Sequence, residues 1–264
     1  MYILAIYLAA GVIVGILAGL LGIGGGTVIV PILDITLPLQ NVNFSVAHHM
    51  ALATSMANIM FTSVTSARSH SKRGTVRWDI VKAMTPGLLI GTLGGTFVVS
   101  SIPTAPLKVV FCVFLTYTAV QRLMDIKPRA SFHLPGTFGL FLAGTFVGVV
   151  ASFVGIGGGV LIIPFLTMCN VPLINTIGAS AAMGFPIAVA GTAGFIYNGW
   201  GHAALPEYSL GFVYLPALAG LVVASMLVTP YGVKLSHSLP VKTLKRCFGV
   251  LLLAMAARMA YSIM

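Results

Sequence analysis

Two short runs of residues have the composition and spacing to do chemistry. Residues 19–33 read GLLGIGGGTVIVPIL and residues 152–166 read SFVGIGGGVLIIPFL, with eight of fifteen positions identical. Each run interrupts an apolar stretch with three glycines, Gly24, Gly25 and Gly26 in one and Gly157, Gly158 and Gly159 in the other, and each carries a proline downstream, Pro31 or Pro164. Such a break leaves backbone N–H and C=O groups without helical partners. A membrane interior tolerates this only where the backbone is enclosed by protein or lines a wet cavity. The helix that restarts at Thr27 or Val160 begins with free N–H groups and the positive end of its dipole. Glycine lets a ligand come close to those groups, and such an end is a ready anion site. The competing explanation is that the glycines only allow tight helix packing. A motif that recurs in register with its proline favours the site.

Hydroxyl and amide side chains could complete it. Thr54, Ser55 and Asn58 fall in the next long stretch of the first half, and Ser180 is the counterpart of Ser55. Each can donate to an anion, although Ser and Thr in membrane helices often bond backbone instead. His48 and His49 raise a metal reading. Adjacent helical residues point about 100° apart, and no Cys or carboxylate stands at ligand spacing. Attracting or protonating a substrate is the better role for one of them. The four carboxylates, Asp34, Asp79, Asp125 and Glu207, all fall at the ends of apolar stretches. A cation pathway would hold carboxylates inside the membrane, so an anion or neutral substrate is favoured and no carboxylate proton relay is expected. Cys112, Cys169 and Cys247 lack the spacing of a disulfide framework or a zinc site. No nucleophile–base pair or metal set emerges, so no catalytic residue, metal or cofactor is expected.

The elements that must position these residues are apolar helices. The chain has 264 residues, 58% hydrophobic and 7% charged, which leaves no stretch for a soluble domain. A bilayer span takes about 20 mostly apolar residues. Apolar stretches run over 3–21, 27–37, 46–68, 79–100 and 107–124, then over 136–154, 160–168, 174–198, 209–230 and 242–261. The apolar start carries no Lys or Arg before it and reads as a retained membrane segment rather than a signal. The second set of stretches repeats the first. Ala53-Thr54-Ser55 matches Gly178-Ala179-Ser180, Pro86 is paired with Pro216, and Leu107-Lys108 matches Leu244-Lys245. The expected fold is an all-α polytopic membrane protein of two homologous halves, 1–130 and 131–264. Each half holds a glycine-broken re-entrant element and three spanning helices. The net charge of +10 comes from 14 Lys and Arg, mostly in short loops, where they orient a membrane protein rather than bind nucleic acid. An odd number of crossings per half places 12 of them inside and leaves Lys108 and Arg258 outside, a better split than an even number gives. The halves are therefore expected to be inverted, with the loop at Gly74 inside, the loop at Ala204 outside, and both termini outside.

The duplicated Gly-Ile-Gly-Gly-Gly with its downstream proline, the Thr-Ser early in the next helix and the overall length resemble the sulfite exporter TauE/SafE family, over nearly the whole chain. The resemblance implies a carrier of sulfite, organosulfonates or related sulfur-containing anions in the cell (inner) membrane. The second half has Ala179-Ser180 where the first has Thr54-Ser55, a poorer donor set. An anion channel and, less favoured, a membrane-embedded enzyme are the alternatives. The expected partners are a small anionic substrate and the lipid bilayer; a homo-oligomer is left open.

Overall fold

The computed structural model describes residues 2–21, 25–124, 132–235 and 241–263. Within these the chain is a bundle of α-helices with one short β-hairpin. The first half gives α1 (Tyr2–Leu21), α2 (Gly26–Thr36), α3 (Phe44–Ser71), α4 (Trp78–Ser101) and α5 (Thr104–Leu123). The second gives α6 (Thr137–Val154), α7 (Gly159–Met168), α8 (Leu173–Gly199), α9 (Leu215–Leu235) and α10 (Val241–Ile263). Five of them, α4, α5, α6, α8 and α9, are long and apolar enough to cross a membrane. The chain is an all-α polytopic membrane protein.

Local signals explain the boundaries. Asn43 caps α3, its Oδ1 accepting from the Ser45 N–H at 3.0 Å. Gly155 ends α6 with φ +63, the left-handed conformation that glycine adopts without penalty. One boundary departs from the sequence expectation. Residues 209–214, assigned there to the start of a helix, form the strands β1 (Ser209–Leu210) and β2 (Val213–Tyr214). The turn between them uses Gly211 at φ +54. The following helix starts at Leu215 with Pro216 in its first turn, where a missing N–H costs nothing.

Close backbone approach holds the bundle. In α4, Gly87, Gly91 and Gly95 lie against Phe141, Thr145 and Val149 of α6, so the two helices run parallel. Across the same interface Gly144 and Gly148 lie against Met84 and Leu88. Between α1 and α9 the arrangement recurs: Gly11 and Gly15 meet Leu221 and Ser225, and Gly232 meets Ile16. Lipid supplies no hydrophobic drive between helices, so small residues that bring backbones together carry the association. A Cβ on Gly91 would collide with the Thr145 carbonyl and force α4 and α6 apart.

Exchanging α1–α5 with α6–α10 maps the most extensive helix contacts onto one another. α4 with α6 becomes α9 with α1, α4 with α8 becomes α9 with α3, and the pairs α3–α8 and α5–α10 map onto themselves. This packing corrects one sequence equivalence. Met84 and Leu88 occupy the places of Leu221 and Ser225. In that register, which also aligns the first residues of the helices, Trp78 and Leu215, Pro86 matches Val223 rather than Pro216. The two prolines differ in kind: Pro86 sits inside α4, and Pro216 opens α9.

Candidate functional site

The two glycine breaks meet inside the bundle. Gly25 precedes α2 at φ +75, and Gly158 precedes α7 at φ +73. Both hold the left-handed conformation that disfavours any residue with a Cβ. The first recorded helical bonds run from the N–H groups of Val28 and Ile29 to the Gly25 carbonyl, at 3.1 and 3.2 Å. In α7 the Leu161 and Ile162 N–H groups bond the Gly158 carbonyl, both at 2.9 Å. The earlier N–H groups, those of Gly26, Thr27, Gly159 and Val160, belong to the first turn that a helix leaves without internal partners. Gly26 packs so closely on Gly155 and Ile156 that a Cβ would collide with the Gly155 carbonyl. Ser55 of α3 donates to that same carbonyl at 2.7 Å. One helix therefore ties the second break to the start of the first.

The other candidates divide. Thr27 is fully buried and its hydroxyl has no hydrogen-bond partner. Val160, its counterpart, is buried and apolar. Thr54 is directed to the hairpin, where its oxygen accepts from the Tyr214 N–H at 3.0 Å. Asn58 accepts through Oδ1 from Ser225 at 3.1 Å and keeps a buried Nδ2 without a partner. Ser180 and Gly157 line a small cavity with Thr62, Ser63, Ser66 and Gly184. Its volume is about 10 Å³, near the minimum for one water. Gly24 lies outside the described residues. Of the twelve expected residues, Gly25, Gly26, Ser55, Gly158 and Gly159 gather at the two breaks with Thr27 and Val160. Asn58, Ser180 and Gly157 flank them, and Thr54 is engaged elsewhere.

Sequence reasoning used Ser55 and Asn58 but not Thr62 and Ser66. Ser55, Asn58, Thr62 and Ser66 are all buried and spaced three or four apart, so they form one stripe along α3. Ser66 Oγ, like Asn58 Nδ2, has no partner. The spacing was the available signal. A second feature had no signal in the sequence. Asp34 lies inside the bundle, with its side chain 3% exposed. His48 Nδ1 bonds its Oδ2 at 3.0 Å, and Lys108 Nζ is 3.5 Å from its Oδ1. The carboxylate, at the end of its apolar stretch as expected, is enclosed by protein, and Lys108 is its buried partner. Their burial is possible because each neutralises the other. His49 is engaged separately: Nε2 lies 3.2 and 3.1 Å from the Val99 and Ile102 carbonyls, and its ring stacks on Phe212.

A larger groove of about 740 Å³ opens between α3, α4 and α8. Arg68 and Lys82 stand on it with Trp78, and Ala182, Phe185 and Pro186 contribute from α8. It is mostly apolar and lies beside the breaks rather than on them.

Residues 7–259 match the family described as Sulfite exporter TauE/SafE. The chain belongs to the TauE/SafE family. It is 35% identical over 253 residues to a probable membrane transporter protein of Haemophilus influenzae, covering 96% of both chains. It is 27% identical to a probable membrane transporter protein of Methanocaldococcus jannaschii, covering 92% of this chain and 90% of that one. A third relative, the probable membrane transporter protein YdhB of Bacillus subtilis, is 26% identical over 241 residues, covering 88% of this chain and 90% of that one. No solved structure matches. The family and its relatives make this TauE/SafE protein a membrane transport protein.

Proposed function

We propose that the protein is a secondary carrier of a small anion, of the sulfite or organosulfonate class, working by alternating access across the cell membrane. The observation that carries this reading is the contact between the two glycine breaks. It sets the first turn of α2 against Gly155 and Ile156, just ahead of the start of α7; each of these helices opens with free N–H groups and about half a unit of positive charge from the dipole. The unpartnered Thr27 hydroxyl and Asn58 amide add donors beside them. No Lys or Arg side chain is needed, so binding stays modest and reversible. The cavity next to Ser180 is too small for a sulfur oxyanion. The halves must move to admit one, which suits a carrier better than a continuous pore. The groove bearing Arg68 and Lys82 would draw anions from the cytoplasmic side.

Alternating access rests on inverted halves, with both termini outside. The packing supports the inversion. Asn175 at the start of α8 donates to the Thr75 carbonyl in the α3–α4 loop at 3.1 Å, which places the start of α8 at the end of α3. α1 runs parallel to α9 while α6 runs parallel to α4. In a cysteine-free background, Lys72→Cys should resist a membrane-impermeant thiol reagent in intact cells and Ala203→Cys should react. Labelling at both positions, or at Lys72→Cys alone, contradicts the topology. Uptake and export by reconstituted vesicles against sulfur oxyanions, sulfonates, carboxylates and divalent cations tests the function itself. Saturable transport is expected for the sulfur anions. Saturable transport of a metal cation with no response to any anion would overturn the reading.

A further inference from the structure

The cluster of Asp34, His48 and Lys108 has no part in the anion site described above, yet burying it is costly. Three ionisable side chains from three helices sit at 3%, 0% and 2% exposure. Ionisable groups inside a membrane protein are rare and usually mark ion or proton pathways. The hydrogen bond selects one tautomer of the neutral ring. A carboxylate only accepts, so the His48 Nδ1–H donates to Asp34, and the neutral ring then carries its lone pair on Nε2. Nε2 is buried and has no partner. The rest of the ring is fixed, with Phe111 edge-on at 5.6 Å between centroids. Lys108 is fixed as well, its ammonium 4.4 Å from the Phe44 ring centroid. With Asp34 ionised, Lys108 protonated and His48 neutral, the cluster carries no net charge and has one open basic site.

We propose that His48 Nε2 is the proton-coupling site of the carrier. This rests on the anion-carrier reading. A proton added to Nε2 makes an imidazolium that stays bonded to Asp34, and it leaves the buried cluster with one positive charge. An uncompensated charge there is unfavourable, and a nearby anion compensates it. Asp34 and Gly26 belong to one helix, eight residues apart, so the cluster lies about 12 Å from the glycine breaks. A unit charge at about 12 Å in an effective dielectric of about 20 changes anion affinity about tenfold. Proton and anion therefore favour each other's binding and travel together. The ionisable groups around His48 do not supply an alternative. His49 of α3 is bonded to carbonyls, and Tyr7 of α1 and Tyr214 of β2 both bond Gln40. His202 lies beyond Phe212. α6 carries no ionisable residue, and Tyr197, Tyr231 and Lys234 of α8 and α9 are exposed. On α5, Tyr117 is exposed and Arg122 stands at the far end, while Cys112 donates to the Ala256 carbonyl. In α10, Arg258 and Tyr261 are exposed, and the side chains of Lys242, Lys245, Arg246 and Cys247 lie outside the description.

The test uses the full chain in vesicles containing a pH-sensitive dye, with sulfite and methanesulfonate as probes. Methanesulfonate stays ionised throughout, so any proton that moves is not its own. Two readings are taken: counterflow exchange of labelled anion, and proton movement driven by an anion gradient. Wild type should show both, with a half-saturating methanesulfonate concentration about tenfold lower at pH 5 than at pH 8. His48→Gln, which can still donate to Asp34, should keep counterflow, lose proton movement and show a half-saturation that is flat with pH. His48→Asn, which likewise lacks a basic nitrogen, should behave the same way and stands in should His48→Gln not fold. Counterflow without proton movement in wild type, or a flat wild-type pH response, overturns this inference alone. Proton-coupled flux retained in a folded His48→Gln or His48→Asn protein also overturns it. Absence of counterflow of either anion in wild type overturns the carrier reading, and this inference with it.

Discussion

The two glycine breaks share a backbone and differ in their surroundings. Gly25 and Gly158 have φ values of 75 and 73, and each opens a short helix with a proline at its sixth residue. The first of these helices is almost wholly buried; the second buries only Gly159, Val160, Ile162, Ile163 and Leu166. Beside the first stands an unpartnered hydroxyl, Thr27, where the second has Val160. At its far end the first carries Asp34 bonded to His48, where the second has Thr167, which bonds the Ile163 carbonyl of its own helix at 2.7 Å. The duplicated part is the backbone geometry that presents N–H groups. The part that diverged is the polar equipment, concentrated in the first half. A symmetric scaffold for binding and an asymmetric set of titratable groups fit a carrier whose halves move alike while only one responds to a second ion.

The comparison can be broken most severely at the glycines. Gly26→Ala should abolish transport at matched membrane levels, because its Cβ would meet the rigid Gly155 carbonyl. Gly158→Ala should reduce transport without abolishing it. Its Cβ meets the far ends of Ile187 and Ile162, which can turn aside, and the left-handed backbone adds about 1–2 kcal/mol of strain. Equal loss in both would mean that the second break is as tightly built as the first.

The next largest effect concerns the charged end. Lys108→Ala removes one partner of a buried pair and should destabilise the protein by about 3 kcal/mol in denaturation, with Asp34→Asn in addition restoring much of it. At the equivalent place in the second half, Thr167→Val should cost under about 1 kcal/mol, since only a bond within the helix is lost. Comparable costs would show that the cluster is not under electrostatic load.

A smaller effect is expected where the breaks are tied together. Ser55→Ala leaves the buried Gly155 carbonyl without its donor and should cost about 1–3 kcal/mol, read as a thermal shift in detergent. An unchanged melting temperature would mean that the breaks hold together without α3.

Much of this was legible in the sequence because the signals are local. Glycine runs, prolines and apolar stretches mark the breaks and the helices within a few residues. The hairpin at 209–214 was not legible, since Leu210, Phe212, Val213 and Tyr214 read as an apolar helix start and only Gly211 hints at a turn. The Pro86–Pro216 pairing failed because identical residues outweighed helix register, which only packing fixes. Asp34 looked interfacial because it lies two residues from the end of α2; its burial depends on α3 and α5, which reach it from 14 and 74 residues further along the chain. Ser55, expected as a donor to substrate, lies near the break and donates to backbone. Its partner, a backbone carbonyl 100 residues away, has no signature in sequence.

The central claim is that two breaks make one anion site, with its donors mostly on the first. Equilibrium binding of sulfite to the purified protein, by calorimetry, tests it most directly when wild type is compared with Thr27→Val. That substitution gives the first break the side-chain type of the second. It should leave stability unchanged or slightly raised, because the lost hydroxyl has no partner in the protein. The account predicts one anion per chain in wild type, bound about fivefold more weakly by Thr27→Val, the scale of one hydrogen bond. Two independent anions per chain, or an affinity untouched by the substitution, would contradict it.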